Sequence, residues 1–177
     1  MKLVILDRDG TINHDSDEHI KSLEEWRPIK GSLEAIGRLT QAGYRIVVAT
    51  NQSGIARGLF DISTLFAIHN GLQRAASQVG GRIDAFFFCP HAAGSACGCR
   101  KPQPGMLIEA ARRFNVSPQD AYMVGDARRD VEAAFAAGVR PVLVLTGKGR
   151  KTRDEGALPE GTQVFADLAA FAEHLAP

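Results

Sequence analysis

Short, continuously apolar runs separated by amphipathic stretches leave this chain few ways to fold. Leu3 to Leu6, Arg45 to Thr50, Ala85 to Cys89, Ala121 to Gly125 and Pro141 to Leu145 carry almost no polar side chains. Leu3 to Leu6 suits a strand buried on both faces, and the other runs read as further strands. Between them, apolar residues recur at helical spacing. Leu33, Ile36 and Leu39 mark Ser32 to Gln41, and Gly43 follows as a C-cap. Leu65, Ile68, Leu72, Ala75 and Val79 mark Ser63 to Val79. Pro104 to Phe114 has its proline in the first turn, and the Ala-rich Arg129 to Ala137 is closed by Gly138. Val164 and Phe165 form a short edge strand, and Leu168 to Leu175 a last helix. This alternation predicts a three-layer α/β/α fold of Rossmann type with a mostly parallel sheet. Gly147 to Gly161, rich in Gly and charge, reads as an exposed loop whose Lys148, Arg150, Lys151 and Arg153 make a basic run.

Composition narrows the partners. A length of 177 residues predicts one domain, spanning 1–177. Hydrophobic residues at 45% and charged residues at 23% are those of a globular chain. Lys+Arg of 21 against Asp+Glu of 20 leaves no basic surplus to displace counterions from a polyanion, so no nucleic-acid partner is expected. No stretch approaches the ~20 apolar residues that span a bilayer. The opening MKLVILDRDG is too short in apolar residues for a signal peptide. A cytoplasmic monomer acting on a small molecule, with no membrane partner, is the expectation.

In an open α/β sheet, ligands bind beyond the carboxyl ends of the strands. Those ends carry Asp7, Arg8, Asp9, Gly10 and Thr11, then Thr50, Asn51, Gln52 and Ser53, then Arg100 and Lys101, then Gly125, Asp126 and Asp130. Asp7 and Asp9, two positions apart on extended chain, face the same way and repel unless a cation lies between them. With Asp126 as a third acid, the set suits Mg²⁺, a hard cation that prefers oxygen. The competing reading is two aspartates that cap a turn before Gly10.

The cysteines, Cys89, Cys97 and Cys99, surround His91. An odd number within so short a span argues against a disulfide framework. Three thiolates and an imidazole make a closed tetrahedral Zn²⁺ site, structural because no coordination position stays open. Reduced cysteines beside an unrelated surface histidine are the alternative.

DRDGT (7–11), Thr50 ending a strand, Lys101 before a helix and GDARRD (125–130) resemble the four motifs of the haloacid-dehalogenase-like phosphatases. TNQSGIARG (50–58), CPH (89–91), CGCRKPQPGM (97–106) and YMVGD (122–126) resemble one branch, the heptose-1,7-bisphosphate 7-phosphatases of lipopolysaccharide core biosynthesis. A histidinol-phosphate phosphatase shares much of the pattern, and a non-catalytic zinc-stabilised binding module is the alternative from another class. The resemblance implies Asp7 as nucleophile and Asp9 as general acid and base, with Arg8 pointing away between them. It implies Thr50 and Lys101 on the phosphoryl oxygens, and Mg²⁺ on Asp7, the Asp9 carbonyl and Asp126. Asp130 would orient Lys101 or a metal-bound water. Ala127 supplies no side-chain ligand. The spacing between motifs leaves no room for a separate cap domain, so short loops would select the substrate. Asn13, His14 and Asp15 would meet sugar hydroxyls, and Asn51, Gln52 and Ser53 on the second loop would also bind substrate. Arg57 and Arg100 would meet a second phosphate. Trp26 is expected in the core, and His19, His69 and His174 as ordinary surface or helix residues.

Overall fold

The protein is described by a computed structural model covering residues 2–177. Its strands are β1 (Leu3–Leu6), β2 (Arg45–Asn51), β3 (Ala85–Cys89), β4 (Ala121–Gly125), β5 (Arg140–Val144) and β6 (Gln163–Phe165). The helices are α1 (Ser32–Gln41), α2 (Ile62–Gln78), α3 (Gly105–Arg113), α4 (Arg128–Ala137), α5 (Gly149–Asp154) and α6 (Leu168–Leu175). Among the described residues the strands form one sheet in the order β3-β2-β1-β4-β5-β6, and every pair is parallel. No helix among the described residues is long and apolar enough to cross a membrane.

The two layers of helix follow from the pleat of β1. Val4 and Leu6 face a core shared with Ile36 and Leu39 of α1, Ile68 and Leu72 of α2, and Phe171 of α6. Leu3 and Ile5 face the opposite core, with Leu107 and Ala110 of α3 and Ala133 and Ala134 of α4. Every residue of β1 is therefore buried, and each fully buried Leu or Ile contributes about 1.5–3 kcal/mol of transfer free energy. Trp26 lies in the first core, as expected. Helix ends follow local chemistry: Asp61 accepts from the Thr64 N–H at 2.8 Å and starts α2 one residue before the expected Ser63. Gly138, at φ 69°, closes α4.

The strand order places the site. From β1 the chain runs outward through β2 to β3, then returns to the other side of β1 for β4. The reversal falls between β1 and β4, whose partners Leu6 and Val124 are in register. A crevice opens at the carboxyl ends of strands where the winding direction reverses, and Asp7 and Asp126 stand there.

The expected loop from Gly147 to Gly161 is corrected by the structure. It contains α5, with Gly149 and Thr152 buried. Gly149 packs so closely on the Val144 carbonyl that a Cβ would collide with it. Thr146 Oγ1 donates to the Gly10 carbonyl at 2.7 Å and Thr152 Oγ1 to the Asp126 carbonyl at 3.0 Å. Arg150, Lys151 and Arg153 are exposed, so only the first cation of the basic run turns toward the site.

Candidate active site

Lys101 is the hub. Its ammonium lies 2.9 Å from Asp7 Oδ1 and 2.7 Å from Asp130 Oδ1, and donates to the Ala49 carbonyl at 2.7 Å. Asp7 and the Ala49 carbonyl accept its hydrogen bonds, and Asp130 adds the charge of a buried ion pair. The Lys101 backbone is clamped by Asn51, whose Oδ1 accepts from its N–H at 3.1 Å and whose Nδ2 donates to its carbonyl at 3.0 Å. Asp130 is held in turn by the Ala127 N–H at 3.0 Å. Burial opposes the charge on Lys101, but Asp130 and Asp7 outweigh it and raise its pKa.

Asp7, Asp126 and Asp130 are buried and bring carboxylate oxygens within 4.8 Å of one another. Burial, then the Asp130 charge, push Asp7 up to about 6, against the pull of Lys101 and Arg129. Burial, then Asp7 and Asp130, push Asp126 up to about 7. Asp7 Oδ2 and Asp126 Oδ1 are buried without a hydrogen-bond donor. Leaving such acceptors unpaired costs about 1–3 kcal/mol each. A hard divalent cation satisfies both and cancels the repulsion, so the residues fit Mg²⁺. The surrounding backbone is shaped to Asp126: Gly10 (φ 88°) and Gly147 (φ 50°) lie where a Cβ would run into its Oδ2. The Lys148 N–H donates to that oxygen at 2.7 Å.

Asp9 is held differently. Arg8 does not point away; it is wholly buried and grips the Asp9 carboxylate through Nε at 2.9 Å and Nη2 at 3.1 Å. Asn13 Nδ2 donates to Asp9 at 2.9 Å and Gln52 Nε2 at 3.0 Å. Burial raises the Asp9 pKa, but the Arg8 charge and these donors together hold it below the usual carboxylate range. Asn13 is thus buried behind Asp9 and unavailable to a sugar, a third correction. Gln52 Nε2 also donates to Thr50 Oγ1 at 2.9 Å, which orients that hydroxyl beside the acids.

A cleft of about 160 Å³ opens above these groups. Asp9, Asp15, Asn51, Gln52, Ser53 and Arg100 all line it. Arg57 is exposed on the turn beyond and is not part of its lining. Sequence reasoning missed Arg129, His19 and a clear role for Lys148, which also line the cleft. Lys148 Nζ sits 3.2 Å from Asp15 Oδ2. Arg129, in the first turn of α4, keeps a buried Nε without a partner; its place three residues after Asp126 was the available signal. His19, expected on the surface, adopts φ 66° and brings Nε2 to 3.4 Å from Ser53 Oγ. A larger hollow of about 600 Å³ beside Phe135 and Pro141 is lined by Tyr122, Arg140 and Glu160 and by none of the strand-end acids.

Beside the cleft, Cys89, His91, Cys97 and Cys99 converge. His91 Nδ1 lies 3.4 Å from Cys89 Sγ and 3.3 Å from Cys99 Sγ, and Cys97 Sγ lies 3.7 Å from Cys89 Sγ. All three cysteines are free. A compact set of three sulfurs and one imidazole nitrogen fits tetrahedral zinc. Arg100 follows directly, its Nη1 donating to the His91 carbonyl at 3.2 Å.

The HAD-hydrolase-like family profile matches residues 98–171. The D-glycero-beta-D-manno-heptose-1,7-bisphosphate 7-phosphatase of Bordetella bronchiseptica is 57% identical over 175 residues, covering 99% of this chain and 98% of that one. The enzyme of the same name from Pseudomonas putida is 51% identical over 175 residues, covering 99% of each chain. The crystal structure of the B. bronchiseptica D,D-heptose 1,7-bisphosphate phosphatase, complexed with magnesium and phosphate, matches this chain with a TM-score of 0.97, covering 99% and 98% of the two chains. The Burkholderia thailandensis D,D-heptose 1,7-bisphosphate phosphatase matches with a TM-score of 0.79 at 53% identity, covering 99% and 98%. Full-length identity at this level means that the chain belongs to the heptose-1,7-bisphosphate 7-phosphatase family of the haloacid-dehalogenase-like hydrolases.

Proposed function

We propose that this chain is a phosphatase that removes the 7-phosphate of D-glycero-β-D-manno-heptose 1,7-bisphosphate, on the route to the lipopolysaccharide core. The observation that carries the reading is the buried Asp7–Lys101–Asp130 cluster beside Asp126, two residues from Asp9 in a cleft also lined by Arg100, Arg129 and Lys148. That arrangement offers a nucleophile and phosphoryl ligands at one end and guanidinium groups along the wall.

When bound to Asp7, Asp126 and the Asp9 carbonyl, Mg²⁺ would supply the positive charge that lets an anionic nucleophile approach an anionic phosphate. Asp7 attacks phosphorus and forms an aspartyl-phosphate, which divides one difficult displacement into two. Asp9 protonates the departing sugar oxygen, then takes a proton from the water that hydrolyses the intermediate. Arg8 keeps the free carboxylate ionised, ready for the second role. A phosphate dianion beside it works the other way and favours the protonated form. Thr50 and Lys101 hold the transferring oxygens. Asp15 and Ser53 face the sugar; Asn51 and Gln52 also line the cleft, with their amide nitrogens committed to Lys101, Asp9 and Thr50. The whole of 1–177 acts as one catalytic unit without a cap, and its loops do the selecting.

Arg100 is assigned to the phosphate that stays on the sugar. A guanidinium binds phosphate through paired hydrogen bonds, which also sets the register of the sugar. Histidinol phosphate presents a cationic amine instead, which an Arg repels. Phosphate release should be measured from both anomers of the heptose bisphosphate, fructose 1,6-bisphosphate, histidinol phosphate and a small monophosphate ester. The β-heptose bisphosphate should give the highest kcat/KM. Arg100→Ala should lower it about ten- to hundredfold, with far less effect on the small ester. Equal losses on both substrates would move Arg100 to the cleaved phosphate, and a preference for histidinol phosphate would overturn the reading.

The sulfur–imidazole cluster supports a structural Zn²⁺ that folds a loop with few apolar residues and delivers Arg100 and Lys101. Free thiols used as ligands also support a cytoplasmic location. Metal analysis of protein purified without added zinc should find close to one Zn²⁺ per chain, and Cys97→Ser should lower stability and kcat together. A zinc-free preparation with full stability and turnover would refute this assignment.

A further inference from the structure

His69 is 4% exposed, and none of the steps above uses it. Its position on α2 beside Ile68 suggests an ordinary helix residue. The structure instead buries its ring against Phe86 of β3, with centroids 4.4 Å apart and planes inclined by 14°. Its Nε2 lies 3.4 Å from Nη1 of Arg8. Arg8 gives its opposite edge, Nε and Nη2, to the Asp9 carboxylate.

A guanidinium carries donors and no lone pair, so Nε2 is the acceptor in this contact. That fixes the neutral tautomer with its proton on Nδ1. The surroundings agree. The groups around His69 are Phe66 and Asn70 of its own helix, Phe86 and Phe88 of β3, and Arg8 and Asp9 beyond β1. Burial, then the Arg8 charge, push His69 down to about 3, with Asp9 opposing. It stays uncharged beside a cation.

We propose that His69 is a positioning residue for hydrolysis: its Nε2 lone pair holds one edge of the Arg8 guanidinium so that the other edge aims the Asp9 carboxylate into the cleft. The remaining donors to Asp9, from Asn13 and Gln52, each hold a single oxygen. Arg8 alone among these three bonds both oxygens, so its orientation sets the rotation of the carboxylate. The stack on Phe86 keeps the imidazole plane fixed while α2 anchors its base. The inference rests on Asp9 as the acid and base.

Two measurements test it. Long-range ¹H–¹⁵N correlation spectra of the imidazole rings at neutral pH should show His69 protonated at Nδ1 and bare at Nε2. The opposite tautomer, or a doubly protonated ring, overturns the proposal. Kinetically, His69→Leu should lower kcat about tenfold with KM within about twofold. His69→Gln, which keeps an acceptor oxygen, should recover most of the loss. Wild-type kcat in His69→Leu, or equal losses in the two variants, overturns the proposal. If His69→Leu fails to fold, the tautomer and the His69→Gln rates still decide. An active Asp9→Asn enzyme would remove the acid–base reading beneath the proposal, an outcome distinguishable from a wrong tautomer.

Discussion

Asp7→Asn should leave a folded protein whose kcat is lower by about a thousandfold or more. The amide matches the carboxylate in shape and is far poorer as a nucleophile, so the covalent step fails while packing survives. Lys101 keeps Asp130 at 2.7 Å and the Ala49 carbonyl at 2.7 Å, so its charge stays partnered. Stability should move the opposite way from activity. In the metal-free protein Asp7 is raised from 3.8 to about 6. The folded state therefore binds more protons than the unfolded state between those values, and stability falls as pH rises through the window. An asparagine has no proton to lose and escapes that decline. Urea titrations of metal-free wild type and variant at acid and neutral pH check the sign. More than about a tenth of wild-type turnover in Asp7→Asn would remove the residue from its role.

Lys101→Met should damage stability and chemistry by separable routes. Removing the ammonium leaves Asp7 and Asp130 buried without their cation. Breaking a buried ion pair from one side costs about 3–5 kcal/mol. Turnover should fall about a hundred- to a thousandfold, the scale for losing one preorganised group that stabilises developing charge. Adding Asp130→Asn removes one of the stranded charges. The double variant should recover a large part of the stability, measured by denaturation without metal, and none of the rate. If turnover returns along with stability, Lys101 only holds the fold together and never touches the phosphate.

Much of this was legible in the residues. Leu3 to Leu6, Ala85 to Cys89 and Leu168 to Leu175 coincide with β1, β3 and α6, because an unbroken apolar run or a clean helical period is a local signal. Asp7, Thr50, Lys101 and Asp126 were readable for a related reason: Thr50 lies at the end of β2 and the others follow a strand, and parallel strands deliver their carboxyl ends to one rim. What escaped depends on contacts between distant segments. GRKTRD has no apolar period, and its helix is fastened by Thr152 to the Asp126 carbonyl. Asn13 looks like a loop residue until its amide is seen beneath Asp9. Arg8, placed between two aspartates on a strand end, was expected to turn away. It folds back because a buried guanidinium needs a carboxylate, and Asp9 is the nearest one. Arg57 and Arg129 show the same limit: both are basic residues near a strand end, and only the direction of the following backbone separates a surface side chain from a cleft wall.

With the Lys101 ammonium already crowded by Asp7, Asp130 and the Ala49 carbonyl, a substrate cannot simply be added to it; it arrives by exchange. The Ala49 carbonyl is fixed backbone, and Asp130 is pinned by the Ala127 amide. Asp7, whose second oxygen has no donor at all, is the partner most easily displaced. Under the proposed mechanism, a phosphoryl oxygen that draws Lys101 toward itself uncovers a lone pair on Asp7 Oδ1 in the same movement. On the proposed mechanism, Lys101 occupies one Asp7 oxygen until the anion to be cleaved arrives and draws it away.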